Sequence, residues 1–373
     1  MTSQISKANK SASRLRVAVW IGLSDKKCLE KLRGLDGCDL VGEGILFRQH
    51  PVQGLKKFKQ ICPPRIFRSS AAASHLYAAF ATIPRCLAFR PQVCIGISFM
   101  PHSVLAKVGQ LVTGAKYITW LIGTDMHVNL AKKWWGRLFK RAISSADCTM
   151  TMGNGSNKKL EIMGWSSRSL VVGRNDYNLS NYQEDSSEKE WDIIYTGRLD
   201  REHKRVGLLL EAVSVVRRSR PSVRCAIVGE GPDRGRLENI CKSLELESQV
   251  AFLGHRSDIP NLLNRSHILV MTSAWEGLPT SIVEAFVLGL PVVSADVVDV
   301  SDIVVDGKNG ILVKSDSPAA YAEAILSILE SQETYQRLSL CARETGKRIR
   351  RETEEGISAE RWRQALERSD STL

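Results

Sequence analysis

The chain has 373 residues, 43% of them hydrophobic and 25% charged, which suits a globular protein of about two domains. No apolar run approaches the ~18 residues that cross a bilayer, so we expect no transmembrane helix. The nine scattered cysteines form no CxxC pair, which excludes the usual zinc and dithiol patterns and favours reduced thiols in a cytoplasmic protein.

The net charge of +12 is concentrated in the first half of the chain. Residues 1–185 carry 27 Lys and Arg against 11 Asp and Glu (+16), whereas 186–373 carry 25 against 29 (−4). The positive charge of the first half favours binding of an anionic partner. The alternative is that these basic residues only form a solvated surface. We expect no nucleic acid partner, because no nucleic-acid-binding module is recognisable.

Short apolar runs alternate with amphipathic segments along the chain, which predicts an α/β protein. In the first half, the pattern predicts strands at 15–20, 93–97, 117–121 and 149–152, and helices at 103–111 and 132–144. The polar stretch QEDSSEKEW at 183–191 predicts a linker.

A second βαβ series follows the linker. It predicts strands at 193–197, 225–228, 250–254, 267–273 and 291–296, and helices at 206–217 and 234–244. We therefore expect two facing Rossmann-like domains with a cleft between them, at 1–185 and 186–350. We expect 351–373 to form a helix that returns toward the first domain.

Polar residues follow three predicted strands of the second half, where parallel sheets bind their ligands. These residues are Arg198 and Lys204, then Gly229, Glu230 and Gly231, then the turn and helix start EGLPTSIVEA at 276–285. Each signal alone also suits a structural role, such as a tight turn or an acidic residue early in a helix. Their joint placement at successive strand ends favours a binding site.

The stretch EGLPTSIVEA has the features of a phosphate site. Pro279 suits the first helical turn, Thr280 and Ser281 suit caps, and Gly277 permits close approach of a ligand. Free amides and the positive end of the helix dipole attract phosphate. Arg198 and Lys204 would supply the side-chain charge for a diphosphate.

Two glutamates lie on either side of this phosphate site. Glu276 precedes the helix and Glu284 lies one to two turns into it, about 10 Å apart by helix rise and strand reach. Carboxylates accept hydrogen bonds from hydroxyls, and a nucleotide-sugar carries hydroxyls on both sides of its diphosphate. The spacing therefore suits that ligand.

Four segments of the second half resemble a known family: 195–212, 225–238, 250–296 and 303–313. The family is the retaining nucleotide-sugar glycosyltransferases of group 1 (family 4), which have the two-Rossmann-domain GT-B architecture. The resemblance implies that Arg198 and Lys204 hold the diphosphate, that Glu284 binds the ribose and that Glu276 binds the transferred sugar. It places Gly229–Gly231 near the base, and Gly277, Leu278, Pro279 and Thr280 on the donor.

The sequence departs from the family pattern at several places. The family lysine lies five residues after the arginine, where this chain has His203 and the lysine follows at Lys204. The segment 296–303 lacks the usual glycine pair, so a donor contact there can differ. Ile122 stands where many members carry the active-site histidine.

The first half resembles the family's acceptor domain more faintly. Asp125 and His127, at a predicted strand end, are its polar candidates for catalysis together with Glu276, and His102 is a weaker one. Two basic aromatic stretches, 55–68 and 131–142, have the composition of interfacial segments. A helix with its tryptophans in the core is the alternative for the second stretch.

The sequence thus predicts transfer of a hexose from a nucleotide-diphosphate sugar to an acceptor hydroxyl with retention, in polysaccharide, glycolipid or lipid-linked oligosaccharide synthesis. No Asp-x-Asp occurs, so no metal cofactor is expected. We expect a saccharide or lipid-linked acceptor and a cytoplasmic protein in peripheral contact with an anionic membrane. The alternatives are a sugar-nucleotide epimerase or hydrolase on the same fold, and a non-catalytic nucleotide-sugar-binding scaffold.

Overall fold

The computed structural model describes residues 14–123, 125, 133–165 and 167–369. The chain forms two compact units: Met1–Asp176 with Glu355–Leu373, and Tyr177–Glu354. Among the described residues, no helix is long and apolar enough to cross a membrane.

The first unit is built on a parallel sheet of seven strands in the order β3-β2-β1-β4-β5-β6-β7. The strands are β1 (Leu15–Ile21), β2 (Val41–Phe47), β3 (Phe58–Ile61), β4 (Val93–Ile97), β5 (Lys116–Trp120), β6 (Cys148–Thr151) and β7 (Leu170–Val172). The helices are α1 (Asp25–Gly37), α2 (Ala71–Phe89), α3 (Val104–Thr113), α4 (Lys133–Ser144), α5 (Asn154–Ile162) and, from the C-terminal part of the chain, α12 (Ile357–Ser369).

The second unit contains a parallel sheet of six strands in the order β10-β9-β8-β11-β12-β13. The strands are β8 (Trp191–Thr196), β9 (Cys225–Val228), β10 (Val250–Gly254), β11 (Ser266–Met271), β12 (Val292–Ala295) and β13 (Gly310–Val313). The helices are α6 (Val206–Ser219), α7 (Arg234–Ser243), α8 (Ile259–Asn264), α9 (Thr280–Val287), α10 (Pro318–Leu329) and α11 (Gln332–Glu354).

The central strands read as continuous apolar runs because helices cover both faces of a parallel sheet. β1 is buried along almost its whole length, and Trp20 stacks on Phe47 of β2 with ring centroids 4.7 Å apart. In the second unit, all four residues of β9 are buried. Each unit therefore has its own hydrophobic core.

The strand order reverses between β1 and β4 in the first unit, and between β8 and β11 in the second. At such a switch point the two connections leave in opposite directions and open a crevice beyond the carboxyl ends of the strands. The segments that follow β8 and β11 are the ones that carry Lys204 and Glu276. The topology therefore brings two predicted site segments to one crevice.

The strands predicted at 93–97, 225–228 and 250–254 agree with the structure to the residue, and the other predicted strands and the four helices predicted before residue 300 agree within two residues. The helix predicted at 351–373 is shorter, at Ile357–Ser369. The sequence patterns did not predict β2, β3, β7 and β13. The chain passes between units at Asp176/Tyr177, where the sequence placed this boundary at 185/186. The physical reason is that Tyr182 is buried on the second unit through a hydrogen bond to Glu284.

The helix expected at the C-terminal end of the chain is α12, which packs within the first unit. Its Trp362 indole donates a 2.9 Å hydrogen bond to the Lys31 carbonyl of α1, and its ring lies 5.2 Å from that of Trp120. The second unit accordingly ends with α11, at Glu354.

The two basic aromatic stretches are partly structural. Phe58, in the stretch 55–68, belongs to β3 and is only 7% exposed, so part of this stretch lies in the core, and an interfacial role for the rest stays a prediction. Phe139, in the stretch 131–142, is buried in a cluster with Leu121, Ile143 and Leu160. The side chains of Trp134, Trp135 and Leu138 lie outside the described residues.

Candidate functional site

The segments that follow β8, β9 and β11 are hydrogen-bonded to one another. The Gly197 amide donates to the Val228 carbonyl at 3.0 Å, and the Thr272 hydroxyl donates to the Lys204 carbonyl at 3.0 Å. The three predicted groups of polar residues therefore lie at one edge of the sheet, as parallel strands require.

Glu276 is the most strongly perturbed carboxylate of this edge. Its side chain is buried, its Oε1 forms an ion pair with Lys204 Nζ, and His203 Nε2 lies 3.6 Å away. Burial by itself raises its pKa, but the facing His203 ring and the Lys204 ammonium outweigh burial and lower it to about 2. Glu276 is therefore a fixed anion at neutral pH, able to accept hydrogen bonds from hydroxyls.

His203 is a site residue that the sequence treated only as a departure from the family pattern. Its ring stacks on Trp275 with centroids 5.0 Å apart and planes 5° apart. Its Nε2 lies 2.8 Å from the Trp275 carbonyl, and because a carbonyl only accepts, Nε2 carries the proton. The stacked ring fixes the backbone that holds Glu276. The aromatic residue immediately before Glu276 was the signal available in the sequence.

The start of α9 differs from the prediction. Pro279 is the N-cap and Thr280 and Ser281 are the first helical residues, so the expectation that they cap the helix was wrong. The Ser281 hydroxyl points to Met271 Sδ at 3.3 Å instead. The Ile282 amide reaches the Pro279 carbonyl at 3.1 Å, but no side chain in the described residues caps this helix. The first amides therefore remain available to an anion.

The turn before α9 holds the remaining predicted residues of the motif. Leu278 is 8% exposed and Gly277 is half-buried. The turn is therefore anchored by an apolar side chain while its glycine stays open to the surface.

Glu284 is buried in the second turn of α9 and has a partner that the sequence did not reveal. The Tyr182 hydroxyl donates a 2.6 Å hydrogen bond to its Oε1. Arg350 of α11 holds the Tyr182 segment by donating to the carbonyls of Leu179, at 3.1 Å, and of Tyr182 itself. The sequence could not predict this contact, because Tyr182 lies next to a polar stretch without helix or strand periodicity. Tyr182 is a positioning residue for Glu284.

The glycine turn after β9 is explained by packing. A Cβ on Gly229 would overlap the Gly197 carbonyl oxygen, and its φ of +138° favours glycine. A Cβ on Gly231 would overlap the Leu199 carbonyl oxygen. Both glycines therefore let the turns after β8 and β9 lie against each other. Glu230, between them, is half-exposed and paired with Arg234.

Arg198 is exposed at the end of β8. Its carbonyl accepts a 2.8 Å hydrogen bond from the Tyr195 hydroxyl, which fixes the backbone there. Within the ranges that the structure describes, no carboxylate pairs with its guanidinium. Arg198 thus differs from Lys204, whose ammonium is already paired with Glu276.

In the first unit, the predicted Asp125 is 1% exposed and held at a strand end. Ser98 Oγ lies 3.3 Å from its Oδ1, and the Ile122 amide donates to its Oδ2 at 3.1 Å. Ser98 has a φ of +71°, an uncommon conformation for a residue with a Cβ. His127, the second candidate here, lies outside the described residues.

His102 lies at the switch point of the first unit. Its ring is so close to Gly22, at the end of β1, that a Cβ there would overlap it. Burial, together with the nearby His75, lowers its pKa to about 4. The ring is therefore neutral at physiological pH, and its buried Nδ1 has no hydrogen-bond partner among the described residues. Among those same residues, no His, Cys, Asp and Glu side chains group as a metal site.

Comparisons with known proteins agree with this arrangement. Residues 179–345 match the family model described as glycosyl transferases group 1. The putative glycosyltransferase EpsD of Bacillus subtilis (strain 168) is 28% identical over 162 residues, which are 43% of this chain and 42% of that protein. The N-acetyl-alpha-D-glucosaminyl L-malate synthase of Bacillus anthracis is 22% identical over 258 residues, 66% of this chain and 67% of that protein. The chain thus spans less than half the length of the first of these relatives.

A solved structure shows the same fold. The crystal structure of Anabaena HepE in complex with UDP and glucose has a TM-score of 0.73 and 16% sequence identity, covering 93% of this chain and 100% of that one. At this identity the likeness concerns the fold. It confirms the predicted class of two Rossmann-like domains.

Proposed function

Because residues 179–345 of this chain belong to the group 1 glycosyl transferases, we propose that the protein transfers a hexose from a nucleoside-diphosphate sugar to an acceptor hydroxyl with retention of configuration. The observation that carries this proposal is Glu276: a buried, ionised carboxylate, paired with Lys204, directly before an uncapped helix N-terminus. A carboxylate that accepts hydrogen bonds from sugar hydroxyls, next to a helix start that binds anions, suits a sugar diphosphate.

The donor roles follow from charge and position. The first amides of α9 and the free guanidinium of Arg198 hold the diphosphate, with Lys204 beside them. Glu276 accepts hydrogen bonds from the transferred sugar. Glu284, oriented by Tyr182, binds the ribose, and the turn at Gly229, Glu230 and Gly231 lies toward the base.

We propose that the reaction occurs on the leaving-group face. The acceptor oxygen forms its bond to the anomeric carbon on the side where the bond to the diphosphate breaks, and the departing phosphate takes the acceptor proton. Arg198, Lys204 and the α9 amides stabilise the negative charge that develops on the diphosphate, so no metal cofactor is required. We propose retention because the second half of the chain resembles the retaining family.

On the first unit, we propose that Asp125 and His127 act on the acceptor. The burial of Asp125 and its contacts with Ser98 and the Ile122 amide hold its carboxylate in one orientation, as a catalytic group requires. The acceptor is a saccharide or lipid-linked saccharide, in polysaccharide, glycolipid or lipid-linked oligosaccharide synthesis. The +16 charge of residues 1–185 supports an anionic acceptor or a protein peripheral to the cytoplasmic face of a membrane.

The test is transfer from GDP-mannose, UDP-glucose and UDP-N-acetylhexosamine to a panel of saccharide acceptors. Glu276→Ala and Arg198→Ala are expected to abolish product while the protein stays folded. Glu238→Ala and Arg218→Ala, at exposed positions of the same unit, are the matched controls and should retain activity. Full activity of Glu276→Ala or Arg198→Ala contradicts the proposal.

The same assay separates the alternatives. Release of free sugar without an acceptor indicates a hydrolase, and a changed sugar on the intact nucleotide indicates an epimerase. Donor binding by calorimetry with no turnover across the panel indicates a non-catalytic scaffold.

A further inference from the structure

Helix α2 presents a stripe of large apolar side chains to solvent. Leu76, Phe80, Ile83 and Leu87 follow one another at intervals of four, three and four residues, which places them on one face of the helix. They are 60%, 74%, 44% and 53% exposed. A face of this kind is expected to be polar on a surface helix.

The opposite face of α2 already packs on the core. Thr82 accepts a 3.0 Å hydrogen bond from the Trp20 indole, and Cys86 is fully buried. The outward stripe therefore contributes nothing to the packing of the first unit. Contiguous exposed apolar surface of this kind marks an interaction site in a stable protein.

Two elements that contact α2 carry further exposed apolar side chains. Ile66 and Phe67, in the 3₁₀ turn Arg65–Phe67, are 77% and 41% exposed, and Leu111 of α3 is 70% exposed. Ser74 of α2 donates a 2.9 Å hydrogen bond to the Phe67 carbonyl, which holds this turn against the start of the helix. We call these seven residues the α2 apolar surface.

The chain around this surface lacks negative charge. Residues 44–124 contain ten Lys and Arg and no Asp or Glu. Arg65, in the 3₁₀ turn, and Arg90, the C-cap residue of α2, are both exposed. Arg90 follows Leu87 by three residues and so lies on the side of the helix that carries the stripe. Apolar side chains on a helix within a purely cationic segment are the composition of an interfacial, lipid-binding surface.

We propose that the α2 apolar surface inserts into the interface of an anionic lipid bilayer, with the surrounding arginines and lysines on the headgroups. A second copy of this chain is disfavoured as the occupant, because two identical cationic surfaces repel each other. The proposal goes beyond the transfer reaction, since docking needs neither a donor nor the second unit's site. In this proposal the membrane contact is made by the α2 apolar surface, whereas Phe58 and Phe139 are buried in the core.

The test is flotation of the full chain with vesicles of phosphatidylcholine alone and with phosphatidylglycerol added. The protein is expected to bind the anionic vesicles at low salt and to lose binding as salt increases. The double variant Phe80→Ser with Leu87→Ser should lower the partition coefficient at least ~10-fold, from the apolar area that no longer enters the bilayer. Arg65→Gln with Arg90→Gln should lower it ~10-fold on anionic vesicles alone.

Ile162→Ser is the matched control, because Ile162 is 77% exposed on α5 of the same unit. This variant should bind like the wild type, and thermal unfolding should show every variant folded. Failure of the wild type to bind anionic vesicles at low salt overturns the proposal, as does unchanged binding of the Phe80/Leu87 variant. The proposal is also overturned if the wild type is a dimer and the Phe80/Leu87 variant is a monomer, because the surface would then join two copies of the chain. Transfer to a soluble acceptor should be unchanged in the variant, so loss of docking and failure of the proposed reaction are distinguishable.

Discussion

Replacing Glu276 by Gln tests the electrostatics of the candidate site without changing its shape. The amide still accepts a hydrogen bond from Lys204, but the negative charge is lost. Lys204 is only 16% exposed, and the variant would leave its ammonium without the opposite charge. Removing one partner of a buried ion pair is much more costly than removing an exposed one.

The magnitude follows from the pKa. The pKa of Glu276 is lowered from 4.5 to about 2, which corresponds to about 3 kcal/mol in favour of the ionised form in the folded protein. Because the folded-state pKa lies below the unfolded value, this stability is fully present above about pH 4.5 and is lost as the pH falls toward about 2. We expect Glu276→Gln to lower the free energy of unfolding by about 3 kcal/mol near pH 7, and by progressively less in acid.

The assay is urea unfolding of the full chain at a series of pH values from neutral to acid. Hydrogen exchange of the segment 266–287 reports the second unit separately. The matched control is Glu238→Gln, whose ion pair with Arg234 has a 47% exposed carboxylate and should contribute less than ~1 kcal/mol. A wild-type minus Glu276→Gln difference that stays constant with pH, or that grows in acid, would refute the reasoning.

Three further predictions concern neighbouring features. Tyr182→Phe removes the hydroxyl that donates a hydrogen bond to Glu284, so the donor affinity measured by calorimetry should fall about tenfold, by ~1.5 kcal/mol or more. The control is Tyr321→Phe, which should bind the donor like the wild type because the Tyr321 hydroxyl has no partner among the described residues. Gly229→Ala should lower the melting temperature through steric overlap and its φ of +138°, whereas Gly235→Ala, in open space on α7, should leave it unchanged or raise it. Chelation of divalent ions with EDTA should leave transfer unchanged, and loss of activity restored by added magnesium would contradict the metal-free proposal.

Much of the second unit could be predicted because its signals are local. The apolar runs, the Gly-Glu-Gly turn and the stretch EGLPTSIVEA each occupy a few consecutive residues, so strand, turn and helix follow from neighbours along the chain. The details of the helix start could not be predicted. Thr280 and Ser281 have capping side chains by type, but the turn places Pro279 at the cap.

The first unit was harder to predict for a related reason. β2 contains two glycines and a glutamate, and β3 has only four residues, so neither shows the pattern of a buried strand. The stretch 55–68 looked like one interfacial segment, although pairing with β2 places Phe58 in the core and leaves Ile66 exposed. Composition alone does not distinguish these two positions.

The sequence by itself determined the α/β class, most of the strands, and the candidate residues at the strand ends, because these follow from periodicity and local turn chemistry. Only the tertiary structure decided which of those residues meet. Lys204 and Glu276 are 72 residues apart, and Tyr182 and Glu284 are 102 apart. The first pair forms because β8 and β11, which are not consecutive, are neighbours in the sheet, and the second forms where the segment before β8 meets α9. The same holds for α2, which is apolar on both faces: only packing showed that one face is buried and the other, with Phe80, is exposed.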